Sequence, residues 1–321
     1  MNAITFLSPV TEEIKLVEER MREQADSAHP DLRAALEHLM KAGGKRIRPT
    51  LGLLVGNMLS APLEKLVTLG AAVELLHTAT LVHDDLIDGS LLRRGTPTLN
   101  ARWAPPATVL TGDFVFARAA KLAAETDDLR LMNLFAETLS IIVNGELTQM
   151  FSSRGLINRD NYYKRIYAKT ASLFEMTSHA AALVSPADET TIKSMREFGY
   201  QLGMAFQIVD DILDFTGDQT SVGKPLGSDL HNGLVTLPGI YYAETNPTDP
   251  DILSLTNGGW TNHENMTRLV ENIRTSNAPK QAMREAENYV ERAIACLENI
   301  QPCAERDALE NLAKYIVDRK V

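Results

Sequence analysis

Apolar residues recur at every third or fourth position along most of the chain, which is the spacing of helices that bury one face. Gly43-Gly44 and Pro105-Pro106 interrupt this pattern, and a further break falls at Ser185-Pro186. Proline at position 49 suits the first turn of a helix. The pattern therefore predicts a helix that begins near Arg48-Pro49 and others over residues 31–42, 61–87, 109–125, 129–151, 161–184 and 189–215.

Strict alternation of apolar and polar residues, which is typical of a half-buried strand, is not sustained anywhere in the sequence. Residues 244–264 are rich in asparagine, threonine, proline and glycine, and they predict an exposed loop that contains at most a short helix. No segment of low complexity divides the chain. We therefore predict an all-α fold of roughly ten or more helices in a single domain that spans residues 1–321.

Net charge, cysteine content and the N-terminal residues limit the possible functions and settings of the protein. The chain has 321 residues and a formal net charge of −10, which disfavours nucleic-acid binding because that needs clustered lysine and arginine. The two cysteines, Cys296 and Cys303, favour a reducing, cytoplasmic setting over a disulfide-bonded one. The N-terminal residues lack the apolar run of a signal peptide, and no segment is interpreted as a membrane span.

Two aspartate triplets share one spacing: Asp84-Asp85-x-x-Asp88 and Asp210-Asp211-x-x-Asp214. The first and third aspartates of each triplet are four residues apart and therefore share a helix face. Carboxylates in apolar surroundings need partners or a metal. One triplet alone is explained equally well as a solvated helix end. Two triplets on helices that face each other would surround a site for Mg²⁺ and for the phosphates of a substrate.

Other motifs stand in a fixed order around the triplets. They are Gly43-Gly44-Lys45-Arg46-Ile47-Arg48-Pro49, Arg93-Arg94-Gly95, Gly145-Glu146-x-x-Gln149, Lys169-Thr170, Phe206-Gln207 and Gly223-Lys224-Pro225-x-Gly227-x-Asp229. Each motif alone is modest evidence, but the ordered set is specific. Over nearly its whole length the chain resembles the trans-isoprenyl diphosphate synthase (polyprenyl synthetase) family, and it resembles the longer-chain members in particular.

The resemblance implies helices around a central deep cavity and a trans-prenyltransferase that condenses isopentenyl diphosphate with an allylic diphosphate. It implies Mg²⁺, three ions per active site, bound by Asp84, Asp85, Asp88, Asp210, Asp211 and Asp214. It assigns isopentenyl diphosphate to Lys45, Arg48, His77, Arg94 and Phe206. It assigns the allylic diphosphate to Arg93, Lys169, Gln207 and Lys224. The catalytic groups would be Lys169, Thr170, Gln207, Asp84, Asp85, Asp88, Asp210 and Asp211.

One position departs from the family pattern. Many short-chain members have lysine where this chain has Leu234, so one cation for the phosphates is missing. Some longer-chain relatives lack that lysine as well, and we therefore do not interpret the leucine as a sign of inactivity. The change is expected to weaken binding of the allylic substrate or to speed release of the product.

The residues before the first triplet bear on the length of the product. Helical periodicity places Ala79 and Thr80 about one turn before Asp84, with Leu76 and Val73 further down the same helix. In the family a large aromatic residue one turn before the aspartates stops growth, and none is present here. Each turn advances ~5.4 Å, so we predict a product of about thirty to forty-five carbons. Geranylgeranyl or farnesyl diphosphate is the alternative, because Ala79 and Thr80 could simply allow close helix packing.

Two other classes of protein use related motifs. A terpene cyclase also carries an aspartate triplet, but it does not need the basic residues of a second diphosphate site. A non-catalytic subunit of a heteromeric synthase typically loses the aspartates, and here all are kept. The resemblance further implies a homodimer, for which the apolar helices over 109–125 and 129–151 are interface candidates. The predicted protein does not span a membrane, although a membrane is a reasonable destination for its product.

Overall fold

A computed structural model describes residues 5–26, 29–41, 43–93, 95–152, 154–155, 157–217 and 226–319. Within these ranges the chain consists of helices, their connections and one small antiparallel hairpin, Leu92–Arg93 with Thr96–Pro97. The predicted all-α class is confirmed. Sequence patterns miss the hairpin because two residues per strand are too few for a visible alternation.

The helices begin and end close to the predicted positions, because proline and glycine mark most of the ends. Their bounds are α1 Thr11–Glu23, α2 Pro30–Lys41, α3 Ile47–Met58, α4 Leu63–Ile87, α5 Pro105–Glu125, α6 Leu129–Phe151, α7 Arg159–Ile166, α8 Ser172–Leu183, α9 Glu189–Thr216, α10 Ser228–His231, α11 Leu237–Thr245, α12 Pro250–Thr256, α13 His263–Thr275, α14 Ala278–Ala295 and α15 Ala304–Asp318. Two 3₁₀ turns cover Thr5–Val10 and Gly259–Thr261. A π-helical turn, Tyr167–Ala171, joins α7 to α8.

The chain forms two compact units. The first comprises Met1–Thr138, Leu173–Arg196 and Asn299–Asn311, and it contains the first aspartate triplet. The second comprises Leu139–Ser172, Glu197–Glu298 and Leu312–Val321, and it contains the second triplet. The single domain that the sequence suggests stays a prediction.

Helix α4 is the central element of the first unit. It packs against α1, α3 and α5, and Val73, Leu75 and Leu76 are fully buried. By length and composition α4 could cross a membrane, whereas from the sequence we interpret no segment as a membrane span. However, 67% of its most apolar window is buried inside the protein, which is the behaviour of a core helix.

In the second unit, a polar network fixes the beginning of α7. The Arg159 guanidinium lies 2.7 Å from Glu244 of α11 and 3.5 Å from Glu285 of α14. Tyr241 donates a hydrogen bond of 2.7 Å to the same Glu285 carboxylate. Because α11 packs against both α7 and α14, these contacts set the position of the helix that leads into the π turn.

The segment 244–264, predicted as an exposed loop with at most a short helix, includes one short α-helix. This helix is α12, whose Ile252 and Leu255 are buried. The Asp249 carboxylate accepts a hydrogen bond of 2.8 Å from the backbone N–H of Asp251 and so caps this helix. The polar composition of the segment therefore reflects helix capping as much as exposure, and α12 is a short helix of the kind that the prediction allowed.

Candidate functional site

The first aspartate triplet lies at the C-terminal end of α4. Asp85 is buried, Asp84 is half-buried and Asp88 is exposed. The Asp88 N–H donates to the Asp84 carbonyl oxygen at 2.8 Å, so the backbone stays helical through the motif. Asp84 and Asp88 therefore share a helix face, as their spacing predicts.

Arg93 binds Asp85 through two of its nitrogens. Its Nε lies 2.9 Å from Asp85 Oδ1, and its Nη2 lies 2.8 Å from the same oxygen. The hairpin after α4 places Arg93 there, and the Ser90 N–H donates to the Asp85 carbonyl oxygen at 2.8 Å. The structure thus pairs a predicted metal ligand with a predicted diphosphate ligand. Arg94 lies outside the described residues.

The glycine-rich basic segment leads into α3, also in the first unit. Arg46 pairs with Glu74 at 2.8 Å and with Glu18 at 3.0 Å. Burial opposes its charge, but the two carboxylates outweigh this effect and raise the pKa of Arg46. The Arg48 guanidinium lies 4.8 Å from the centre of the Phe174 ring, whereas Lys45 is exposed. Arg46 therefore anchors the segment that carries Lys45 and Arg48.

The remaining candidates of the first unit lie on α4 before the aspartate triplet. His77 is half-buried, and its carbonyl oxygen accepts a hydrogen bond of 2.8 Å from Thr80 Oγ1. Ala79 is 1% exposed, and the Leu76 and Val73 side chains are fully buried. Thr80 is thus the most accessible of the four chain-length candidates.

The second triplet lies on α9 in the second unit, and each of its aspartates has protein partners. Asp210 Oδ1 lies 2.7 Å from Arg319 Nη2. The Arg319 guanidinium also lies 4.1 Å from the centre of the Phe206 ring and donates to the Phe206 carbonyl oxygen at 2.6 Å. Arg319 is thereby joined to two candidate residues, although sequence reasoning did not select it.

Asp211 is buried and accepts hydrogen bonds on both carboxylate oxygens. Tyr162 donates to Oδ2 and Gln207 Nε2 donates to Oδ1, each at 2.8 Å. Burial raises the pKa of Asp211 to about 7, and the nearby Asp229 carboxylate adds to the effect. The hydrogen bonds from Gln207 and Tyr162 oppose the rise because they stabilise the charged form.

Asp214 caps the short helix α10. Its Oδ1 accepts hydrogen bonds from the Ser228 N–H at 3.1 Å and from Ser228 Oγ at 2.9 Å, and its Oδ2 accepts one from the Asp229 N–H at 3.2 Å. The Gly227 N–H donates to the Asp214 carbonyl oxygen at 2.7 Å. The third aspartate therefore anchors the described end of the Gly227-x-Asp229 motif. Lys224, of the same motif, lies outside the described residues.

The π turn presents the Lys169-Thr170 motif. Lys169 Nζ lies 2.9 Å from Glu146 Oε1 of α6, and the lysine side chain is 38% exposed. Thr170 is buried and donates to Gln207 Oε1 at 2.5 Å. Gly145 allows this approach, because a Cβ at that position would lie 2.4 Å from the Ala168 Cβ. Three motifs that are separate in the sequence are therefore joined in the second unit.

A cavity of about 410 Å³ lies beside this turn, within the second unit. Among the described residues that line it, Arg154, Lys164 and Arg165 are cationic and none carries a carboxylate. Leu234 lies in its wall, and Arg165 Nη2 donates to the Val235 carbonyl oxygen at 2.8 Å. The position where short-chain members have lysine thus borders a space that already holds positive charge.

The donor chemistry fits a divalent metal. Carboxylate oxygens are the ligands that Mg²⁺ prefers, and Asp84, Asp88 and Asp210 are partly or fully exposed. Across the part of the chain that the structure describes, no three histidine, cysteine, aspartate or glutamate side chains already form a metal-binding group. Asp85, Asp211 and Asp214 accept hydrogen bonds from protein groups, and Asp210 pairs with Arg319.

Comparison with known proteins decides the family. The polyprenyl synthetase family model matches residues 29–273. The chain belongs to the polyprenyl synthetase family. It is 35% identical to heptaprenyl diphosphate synthase component 2 of Bacillus subtilis, over 99% of this chain and 90% of that protein. It is 36% identical to an all-trans-nonaprenyl-diphosphate synthase (geranyl-diphosphate specific) of Rhodobacter capsulatus, over 98% of this chain and 97% of that protein.

The fold agrees with solved polyprenyl synthetases. A polyprenyl synthase of Caulobacter crescentus, in complex with calcium and isoprenyl diphosphate, matches with a TM-score of 0.93 at 33% identity, over 100% of this chain and 98% of that one. The prediction of a prenyltransferase of the longer-chain kind is confirmed. A divalent metal is supported by that relative, whereas Mg²⁺ and the number of ions stay predictions.

Two residues of this polyprenyl synthetase join the candidate site although no motif pointed to them. Tyr162 precedes Lys169 by seven residues, and a buried tyrosine in a helix usually indicates only core packing. Arg319 lies at the other end of the chain from the basic motifs, so its sequence position gave no reason to connect it with Asp210. Only the three-dimensional contacts identify them.

Proposed function

We propose that this chain condenses isopentenyl diphosphate with an allylic diphosphate and repeats the step to build a long all-trans polyprenyl diphosphate. The observation that best supports the proposal is the joining of Lys169, Thr170, Gln207 and Asp211 in the second unit. A cation, a hydroxyl, an amide and a carboxylate are held there around a π turn, and such turns occur frequently at functional sites.

The proposed reaction begins with ionisation of the allylic diphosphate. A divalent metal, when bound by the aspartates, supplies Lewis-acid stabilisation of the charge that grows on the leaving diphosphate. We assign Lys169, Arg93 and Lys224 to the same charge, because lysine and arginine stabilise phosphate oxygens without proton transfer. Thr170 and Gln207 orient the reacting end of the substrate. Apolar walls of the helices would exclude water from the carbocation.

We assign the second substrate, isopentenyl diphosphate, to Lys45, Arg48 and His77, together with Arg94 and Phe206. The exposed Lys45 and the Arg48 guanidinium both follow a glycine pair and stand at the start of α3. Backbone N–H groups at a helix N-terminus favour anions, and side-chain cations add to the effect. The double bond of this substrate attacks the allylic cation, and the proton that is lost passes to the departing diphosphate.

We further propose Mg²⁺ as the metal, with three ions per active site held by the two triplets. The carboxylate donors and the diphosphate substrates both suit Mg²⁺. Asp84, Asp88 and Asp210 are the most accessible ligands, whereas Asp85 and Asp211 are buried. Asp85, Asp210, Asp211 and Asp214 would exchange or share their present protein partners when a metal binds. The free cysteines Cys296 and Cys303 support a reducing, cytoplasmic setting.

The expected product has about thirty to forty-five carbons, since successive turns of α4 would each admit about one isoprene unit. The small side chains of Ala79 and Thr80 support this length, because they lie about one turn before Asp84, where a large aromatic residue would stop growth. The names of the heptaprenyl and nonaprenyl synthases fit the same range. A twenty-carbon product remains the alternative.

The assembly proposed for this chain is a homodimer. On the α6 helix Val143, Leu147, Met150 and Phe151 are exposed, and their spacing places them along one face. Exposed apolar side chains on one face favour burial against another chain. The Bacillus relative is a component of a synthase, so the competing partner is a second, different subunit. Native mass spectrometry of the purified chain distinguishes a dimer from a monomer that needs another subunit.

The deciding experiment is product analysis with radiolabelled isopentenyl diphosphate, Mg²⁺ and geranyl, farnesyl or geranylgeranyl diphosphate as primer. We expect one long-chain product from the chain alone. The Asp84→Ala and Asp210→Ala variants should lose at least a hundredfold in turnover, on the order of 3 kcal/mol of transition-state stabilisation. Near wild-type turnover in Asp84→Ala would refute the mechanism, and a dominant fifteen-carbon product would refute the length. A cyclic hydrocarbon formed without isopentenyl diphosphate would indicate a cyclase.

A further inference from the structure

The segment from Tyr162 to Thr170 is tied to α9 at both of its ends. Tyr162 donates to Asp211 Oδ2 at 2.8 Å, and Thr170 donates to Gln207 Oε1 at 2.5 Å. Gln207 Nε2 donates to Asp211 Oδ1 at 2.8 Å and so connects the two anchors along α9. One continuous chain of hydrogen bonds therefore runs from α7 to α9 and back to the π turn.

The two anchors stand on either side of an unusual backbone. The π turn covers Tyr167–Ala171, and π turns are rare because their hydrogen-bond geometry departs from that of the α-helix. If the turn relaxed to α-helical geometry, the residues that follow the change would rotate by about 100° per residue of register shift. Such a rotation would carry Lys169 away from Glu146 and Thr170 away from Gln207. The position of Lys169 and Thr170 thus depends on the π turn being kept.

The Tyr162 hydroxyl is well placed to stabilise the π turn. The tyrosine side chain is 1% exposed, and its partner Asp211 is 3% exposed, so water does not compete with the hydrogen bond. The bond to a carboxylate is directional, whereas the ring alone could slide along the neighbouring helix. A buried tyrosine that only fills space would satisfy its hydroxyl on any nearby carbonyl oxygen. This one instead joins the carboxylate that also holds Gln207.

We propose that Tyr162 is a positioning residue, whose hydroxyl, through Asp211 and Gln207, holds the π turn in the register that presents Lys169 and Thr170 to the allylic diphosphate. The identity of that substrate depends on the proposed function. The effect of Tyr162 on the π turn does not, because it can be measured without catalysis.

The chain offers a matched control at the next position. Tyr163 lies on the same helix and is also hydrogen-bonded to a carboxylate, but its partner is Glu285 of α14 rather than a residue of α9. Tyr162→Phe and Tyr163→Phe each remove one hydroxyl and keep the ring. Only the first removes a hydrogen bond between α7 and α9, the helix that also holds Thr170 through Gln207.

Three measurements test the proposal on the full-length chain. Hydrogen exchange should rise at least tenfold at the backbone amides of residues 166–172 in Tyr162→Phe and stay within twofold of wild type there in Tyr163→Phe. The rise in melting temperature that Mg²⁺ with inorganic diphosphate produces should fall by half or more in Tyr162→Phe only. The KM for the allylic substrate should rise about tenfold in Tyr162→Phe, while the KM for isopentenyl diphosphate stays within twofold.

Equal behaviour of the two variants overturns the proposal. A Tyr162→Phe protein that fails to fold, or that exchanges faster along its whole length, also overturns it, because Tyr162 would then be an ordinary core residue. If wild-type protein forms no prenyl product while the local exchange difference is present, the proposed function fails and the positioning role stands. If product forms and the two variants match, only the positioning role fails.

Discussion

Replacing Gly145 with alanine tests how closely α6 approaches the π turn. A Cβ at Gly145 would lie 2.4 Å from the Ala168 Cβ. Carbon atoms in good contact lie about 3.5–4.0 Å apart, so the two backbones would have to separate by roughly 1 Å. Overpacking of this kind costs about 1–3 kcal/mol. Alanine in a helix interior recovers about 1 kcal/mol relative to glycine, so we expect a net loss of up to about 2 kcal/mol.

The matched design moves the methyl group to the other side of the same contact. Ala168→Gly alone should lose about 1 kcal/mol, because glycine is a poorer helix former. In the double variant Gly145→Ala with Ala168→Gly the collision disappears and the two propensity terms cancel. The double variant should therefore be close to wild type in stability and should not show the summed loss of the single variants.

Urea unfolding of the four proteins measures the free energy of unfolding at constant m-value. The expected coupling between the two substitutions is about 1–3 kcal/mol. As a second readout, Gly145→Ala should weaken the Lys169–Glu146 ion pair, which stands at 2.9 Å beside the contact, and raise the KM for the allylic substrate. Strictly additive losses, with no recovery in the double variant, would show that the close approach does not limit this region.

Two further predictions concern other parts of the chain. Burial lowers the pKa of His179, with Arg196 adding to the effect and Glu175 opposing it, so the folded protein favours the neutral imidazole. The unfolded chain therefore takes up a proton first as the pH falls below about 6.5, and stability is lost in acid. In urea titrations from about pH 7.5 to 5.5, His179→Gln should lose less stability than wild type, and parallel losses would contradict this. Leu234→Lys adds a cation beside the cavity that Arg154, Lys164 and Arg165 line, and it should lower the KM for the allylic diphosphate several-fold. The uncharged control Leu234→Met should leave this KM unchanged. Equal effects of the two substitutions would argue against a role of charge.

The long helices were predictable because their evidence is local. Proline in the first turn of α3 and the double proline at the start of α5 mark where helices begin, and the apolar period marks how far they run. The bounds of α6 agree with the prediction at both ends. Local signals of this kind need no knowledge of the rest of the fold.

The contacts of the candidate site were less predictable, because they join residues that are far apart in the sequence. Spacing placed Asp84 and Asp88 on one face, but it could not show that Arg93 would bind Asp85. The π turn has no sequence signature of its own, and it decides which way Lys169 points. Arg319 and Asp210 are far apart in the sequence, and their ion pair depends on how the residues around Arg319 pack in the folded protein.

The three hydrogen bonds that Asp214 accepts from Ser228 and Asp229 change what a mutational scan of the aspartates can report. Asp214→Ala would release the cap of α10, and Asp211→Ala would strand the buried donors of Tyr162 and Gln207. A loss of turnover in either variant therefore mixes misfolding with chemistry. Aspartates of one motif therefore differ in role: Asp211 and Asp214 hold the local structure through hydrogen bonds, in addition to any part they take in binding metal.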